Sequence, residues 1–264
     1  FSIGPTITIS ELAENKLIQS NFPVLSTAAG LIATPQIRNT ATLGGNICQK
    51  PRCWYYRSID FNCMRKGGEV CFAQNGENKY HAILGNDGEC IIVHPSATAV
   101  ALMALNAKLI ISDGKNTRAV SIEDFYILPA EDFTRENILK DDELILEIEI
   151  PSESKKLNSA YFKLKEKDSF DWPLADVAVT LKMDGNICKE DNVILGSAAP
   201  IPWRAKPAEK ILRGKKPDKT LARNAGIEAM KEAMPLEQNQ YKIKIFNTVI
   251  YRAICEAAGI NPYT

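Results

Sequence analysis

The chain has 264 residues, with 32 basic and 32 acidic side chains, so its formal net charge is zero. Apolar residues make up 45% and charged residues 24%, a globular composition that excludes disordered, collagen-like and coiled-coil chains. Zero net charge argues against a nucleic-acid or anionic-membrane partner, and no apolar run reaches the length of a membrane span.

The chain starts at Phe1, without Met or a signal peptide, and reads as lacking its N-terminal part. Ser10 is placed to cap a first helix, with Glu11 and Glu14 favouring its positive end. Val24, Leu25, Ala28, Ala29 and Ile32 fall on one helical face, and Thr34-Pro35 is expected to end that helix. Gln49 to Asp87 is polar, rich in Gly and Asn, and has no sustained period. A loop that long needs a staple, a ligand or a function. Cys90 to Val93 reads as a short buried strand, followed by a helix from Thr98 to Leu105. Strands are expected at Lys108 to Ser112, Thr117 to Ile122 and Glu143 to Ile150.

Past Pro151 the pattern changes. Ser152 to Asn158 reads as a linker. Ala160 to Lys165, Leu174 to Met183 and Val193 to Ala198 read as a three-stranded antiparallel sheet. Helices follow at Pro207 to Arg213, Thr220 to Met234 and Tyr241 to Ala258. The fold class is α+β: a mixed α/β domain over residues 1–151, then a small antiparallel sheet with a helical bundle over 152–264.

Three segments carry candidate chemistry. In Thr42-Leu43-Gly44-Gly45-Asn46, adjacent glycines can bare backbone N–H groups to an anion, with Asn46 adding an amide. An ordinary tight turn is the plain alternative. Cys48, Cys53, Cys63 and Cys71 fall in one window, with Cys90 close behind, and the intervening spacings are irregular. Zinc, a cubane cluster and free buried thiols all stay open on spacing alone; the uneven distribution favours metal ligation in a reducing compartment over disulfides. Arg52, Arg57, Arg65 and Lys66 among them would offset an anionic centre. Asp168 to Pro173, with Trp172, suggests a loop that touches a planar ligand. His81 and His94 lack the partner spacing of a catalytic triad and read as structural.

Pro35 to Asn46 resembles the second flavin-binding signature of the FAD-binding medium subunit of molybdenum hydroxylases. That family includes carbon monoxide dehydrogenases, xanthine dehydrogenases and aldehyde oxidoreductases. Leu144 to Pro151, Phe162-Lys163, Asp171 to Val179 and Leu195 to Arg204 resemble later parts of the same subunit. The resemblance implies a cytoplasmic oxidoreductase component, with no catalytic acid or base, that passes electrons from iron–sulfur centres to FAD and an acceptor. It implies a molybdopterin-binding large subunit and a 2Fe-2S small subunit as partners. Thr42, Gly44, Gly45 and Asn46 would hold the diphosphate side of FAD, Leu144 and Ile145 would pack near the isoalloxazine, and Lys163 would face the flavin. The family's first diphosphate loop lies upstream of Phe1. Ala97 stands where the family usually has Asp, which removes one expected cofactor contact. The insertion over residues 47–90 resembles that of members with an additional 4Fe-4S cluster, which implies Cys48, Cys53, Cys63 and Cys71 as ligands, with Cys90 replacing Cys48 if Cys48 does not reach. The alternative function is an iron–sulfur-bearing or structural assembly subunit that does not retain FAD.

Overall fold

The computed structural model describes residues 1–88 and 90–263; Glu89 and Thr264 lie outside the description. After β1 (Ser2–Ile3), helix α1 (Ile9–Glu14) starts ahead of Ser10. Its cap is Thr8, whose hydroxyl accepts from Glu11 N–H while the Glu11 carboxylate accepts from Thr8 N–H. This reciprocal pair satisfies two end donors at once, which a serine at position 10 cannot do. Asn15 ends α1 and caps α2 (Lys16–Asn21). Helix α3 (Pro23–Gly30) buries Val24, Leu25, Ala28 and Ala29 as their spacing requires. Thr34-Pro35 begins a helix instead of ending one. Thr34 caps α4 (Pro35–Arg38), and Pro35 sits in the first turn, where its missing N–H costs nothing. Helix α5 (Leu43–Ile47) follows, capped by Thr42.

Residues 49–88 hold only α6 (Trp54–Arg57) and a single 3-10 turn at Met64–Lys66. Cys90 to Val93 forms no ladder. It is extended, but its polar groups stitch irregular chain: Ala82 N–H donates to Ile91 C=O, and His94 N–H to Ala199 C=O. Helix α7 (Ala97–Ala104), capped by Ser96, is buried on nearly all sides and packs on α3 and the second sheet. Strands β2 (Lys108–Ser112) and β3 (Thr117–Ser121), helix α8 (Pro129–Asp132) and strand β4 (Leu144–Glu149) complete this half. The sheet is antiparallel, in the order β1–β4–β2–β3.

The second sheet comprises β5 (Asn158–Lys165), β6 (Pro173–Asp184), β7 (Ile187–Gly196) and β8 (Trp203–Arg204), antiparallel in that order. The edge strand β8 has two residues, too few to announce a period of two. Both faces of this sheet are covered. Tyr161, Ala178 and Ile194 join the core shared with α3 and α7, while Val177, Val179 and Leu195 join the core under the C-terminal helices. Burial on two sides explains why β6 is apolar on both faces from Leu174 to Leu181, with Asp176 and Thr180 as the buried exceptions. Those helices are α9 (Lys206–Leu212), α10 (Lys219–Ala229) and α11 (Tyr241–Ala257). Among the described residues no helix is long and apolar enough to cross a membrane.

Helices α10 and α11 touch at Gly226, where an added Cβ would lie 2.6 Å from the Asn247 carbonyl oxygen. Helix propensity alone favours Gly226→Ala by about 1 kcal/mol. Forcing two helix backbones apart costs about 1–3 kcal/mol and should win. The urea midpoint of Gly226→Ala should therefore fall at unchanged slope; a higher midpoint would show that the helices part freely.

Candidate functional site

The N–H groups at the start of the Thr42–Asn46 segment already have partners within the chain. Leu43 N–H donates to Ile7 C=O at 2.9 Å, Gly44 N–H to Pro5 C=O at 2.8 Å, and Gly45 N–H to the Thr42 hydroxyl at 3.2 Å. The glycine N–H groups expected to face a diphosphate are thus engaged. What Gly44 supplies is proximity: a Cβ there would stand 2.9 Å from Pro5 Cβ and 3.1 Å from its carbonyl oxygen. Asn46 is oriented by two hydroxyls, since Ser96 and Thr98 donate to its Oδ1 at 2.7 and 2.6 Å. With Oδ1 so engaged, Nδ2 remains the donor atom of this amide. Ala97 is the first residue of α7 and adds no polar group.

Cys53, Cys63, Cys71 and Cys90 line one small void of about 10 Å³. Cys48 does not. It ends α5, where its N–H donates to Gly44 C=O, and it packs on the first core, where burial pushes its thiol up to about 11. Cys90 arrives instead, because the 90–93 segment is stitched to Ala82. Cys71 and Cys90 are hydrogen-bonded to each other. The hydrogen bond from Cys90 lowers the Cys71 thiol to about 6, and the same contact raises Cys90. Arg65 also lines the void. Its Nη2 pairs with the Glu136 carboxylate, while Nε and Nη1 are buried with no partner. Four sulfurs with two orphaned guanidinium donors suit an anionic metal–sulfur centre. Among the described residues no group of three or more His, Cys, Asp or Glu stands ready to hold a metal ion.

Beside this void lies a cleft of about 470 Å³, walled by Arg52, Trp54, Tyr80, His94, Asp171 and Trp172. Cys53 and His81 line both cavities and form their partition. Arg52 places its guanidinium 4.7 Å over the Trp172 ring. Glu166 holds the β5–β6 loop against the insertion, accepting from Lys79 and from the Tyr80 hydroxyl at 2.8 Å each. His94 is buried with its Nε2 unpartnered, as a polar edge of a ligand would require. His81 Nε2 lies 3.3 Å from Cys53 Sγ, and the Trp54 ring packs edge-on against the imidazole. Burial, helped by the Lys242 charge, lowers His81 to about 4; burial and Arg52 lower His94 to about 3.

The insertion is held from behind by α11 and the turn before it. Lys242 is buried, and its ammonium donates to the carbonyls of Tyr80, His81 and Ser197. Asn239 donates to the carbonyls of Asn78, His81 and Ala82.

The structure therefore gathers Cys53, Cys63 and Cys71 and keeps Thr42 to Asn46 at one helix start. Lys163 lies outside the cleft lining and donates to Leu31 C=O at 2.9 Å. Leu144 and Ile145 are on β4, and neither lines the cleft. Sequence reasoning missed His81 and its contact with Cys53, residues 28 positions apart that no local pattern joins.

Residues 1–153 match the family described as the FAD binding domain in molybdopterin dehydrogenase, and residues 159–257 match the CO dehydrogenase flavoprotein C-terminal domain. The FAD-binding subunit of an aldehyde oxidoreductase from Escherichia coli is 29% identical, covering 97% of this chain and 77% of its own length. The carbon monoxide dehydrogenase medium chain of Hydrogenophaga pseudoflava is 25% identical over 96% of this chain and 72% of its own. A solved structure of carbon monoxide dehydrogenase from Hydrogenophaga pseudoflava, lacking the Mo-pyranopterin moiety, is similar with a TM-score of 0.72 and 25% identity. It covers 98% of this chain and 75% of the solved one.

Both histidines are held neutral in the fold, below the ordinary histidine value near 6.5. On acidification the unfolded chain takes up their protons first, so stability falls as pH drops from about 6.5 toward 4. His94→Phe removes one of these titrations. Through this window it should lose less stability than wild type, by up to about 1.4 kcal/mol per pH unit. Equal losses in urea unfolding between pH 6.5 and 4.5 would show that His94 is not held neutral.

Proposed function

The chain belongs to the molybdenum hydroxylase family as an FAD-binding subunit, and from that premise we propose that it carries electrons between iron–sulfur centres, FAD and an external acceptor. In this reading its partners are a molybdopterin-binding large subunit and a 2Fe-2S small subunit. The observation that carries the proposal is the partition: a four-thiol pocket and an aromatic cleft share Cys53 and His81 as a common wall.

Thr42, Gly44, Gly45 and Asn46 are assigned to the diphosphate side of FAD. With the glycine N–H groups engaged, the contacts come from the Thr42 hydroxyl and Asn46 Nδ2. The cleft takes a planar ring against Trp172, with His94 Nε2 meeting its polar edge. Lys163 adds positive charge nearby, within the fields of Asp176, Arg52 and Asp171. Leu144 and Ile145 are assigned an apolar wall of the same cofactor outside the cleft; Leu144 is 70% exposed. When bound, FAD supplies the one- and two-electron chemistry, and the protein supplies orientation and field. Cys53, Cys63, Cys71 and Cys90 are assigned to one 4Fe-4S cluster, with Arg65 offsetting its charge.

One observation favours a second reading. The engaged N–H groups of Gly44 and Gly45 suit a cluster-bearing assembly subunit that does not retain FAD.

Anaerobic reconstitution separates these readings. We expect about four iron and four sulfide per chain, as a cubane requires, together with flavin absorption bands. Cys90→Ser should lose the iron and Cys48→Ser should keep it. Trp172→Ala should weaken FAD binding about tenfold, the loss of one aromatic packing surface. Brown absorbance without flavin bands would select the assembly subunit. A colourless protein with one zinc would overturn the cluster.

A further inference from the structure

We infer that His81 is a positioning residue for the thiol centre: its Nε2–H donates to the Cys53 sulfur, aims that sulfur and draws charge from it. The inference rests on the reading that Cys53 is a metal-bound thiolate. His81 Nε2 and Cys53 Sγ are 3.3 Å apart, within reach of an N–H···S hydrogen bond. The sulfur decides which ring nitrogen carries the proton. A free Cys53 thiol can give its own proton to the ring. A metal-bound thiolate has none to give, so two lone pairs would face each other at 3.3 Å unless the ring is protonated at Nε2. Nδ1 is then the bare nitrogen, and it makes no hydrogen bond of good geometry in this structure, although the Asn78 backbone nearby raises the proton affinity of the ring. A buried lone pair left alone is more tolerable than an orphaned N–H.

The backbone that carries the ring is fixed, and the ring itself is packed. His81 N–H donates to Asn78 C=O at 3.0 Å, and its carbonyl accepts from Asn239 and Lys242. Trp54 packs edge-on against the imidazole. A donor held in this way withdraws electron density from the sulfur and favours the reduced, more negative state of a cluster. Because Cys53 and His81 form the partition between the two cavities, the sulfur so adjusted is the one beside the cleft.

The chain has two histidines, so nitrogen-15 histidine labelling gives an almost unique probe. In the anaerobically reconstituted full chain, iron and sulfide are measured first. An iron-free product overturns the thiol-centre reading, and the role of His81 with it. With iron present, pulsed EPR of the reduced, labelled wild type should show an imidazole nitrogen coupled to the centre. Absence of that coupling overturns the hydrogen bond alone, whatever any variant does. His81→Leu should abolish the coupling and shift the reduction equilibrium about tenfold toward the oxidised form, about 59 mV for one electron. His81→Gln, which carries an N–H to a similar reach, should restore most of that shift. An unchanged midpoint in His81→Leu at full iron content would show that the ring only packs. If His81→Leu loses its iron, the wild-type coupling decides.

Discussion

A single buried ammonium organises the candidate site. Lys242 Nζ donates to carbonyls of Tyr80 and His81 on the insertion and of Ser197 at the end of β7, at 3.4, 3.0 and 2.6 Å. Burying an unpaired ammonium costs several kcal/mol even after relaxation, and burial here lowers Lys242 to about 7, opposed by the charge of Asp176. Three carbonyl acceptors offset that cost only while the insertion is docked. The insertion has almost no regular structure of its own, so its polar backbone must find partners elsewhere. Lys242 and Asn239 supply them, and Asn78 and Gln238 exchange a reciprocal pair of backbone-to-side-chain bonds. The position of His81, and hence of the wall between pocket and cleft, follows from this docking.

The two cavities differ in kind. The thiol pocket is tight, lined by sulfur, aromatic and aliphatic groups, with one guanidinium only partly paired. The cleft is wider and mixes aromatic faces with unsatisfied polar edges. A charged centre placed in the first would be sensed strongly by Arg65 and His81, which line it beside apolar groups. The second can admit a planar ligand without burying more charge, since Arg52 is already stacked on Trp172.

Much of the fold was legible because periodicity reports burial. Helices α3, α7 and α11 and strands β2, β3 and β4 lie where their apolar spacing put them, within a few residues. The first cap was misplaced because Ser10 and Thr8 look alike until Glu11 is seen to answer only Thr8. Cys90 to Val93 has the composition of a strand but no neighbouring strand, and composition cannot see neighbours. Of the cysteines that line one void, Cys53, Cys63 and Cys71 were grouped by spacing and Cys90 was not. Spacing grouped Cys48 with Cys53, yet Cys48 follows the end of α5 into the first core, while Cys90 is drawn back by the Ala82–Ile91 hydrogen bond. That bond joins two irregular segments and leaves no trace in sequence.

The Lys242 contact also sets an order of events during synthesis. Domains generally assemble as the chain emerges, N-terminal parts first. The cysteine segment is translated about 160 residues before the helix that docks it, since Lys242 lies 162 and 161 positions beyond its partners Tyr80 and His81. Until α11 reaches the second sheet, the carbonyls of Tyr80 and His81 have only water to bond, and the four thiols have no fixed common centre. The pocket is therefore a late product of the nascent chain: its four thiols converge only once α11 has emerged and docked.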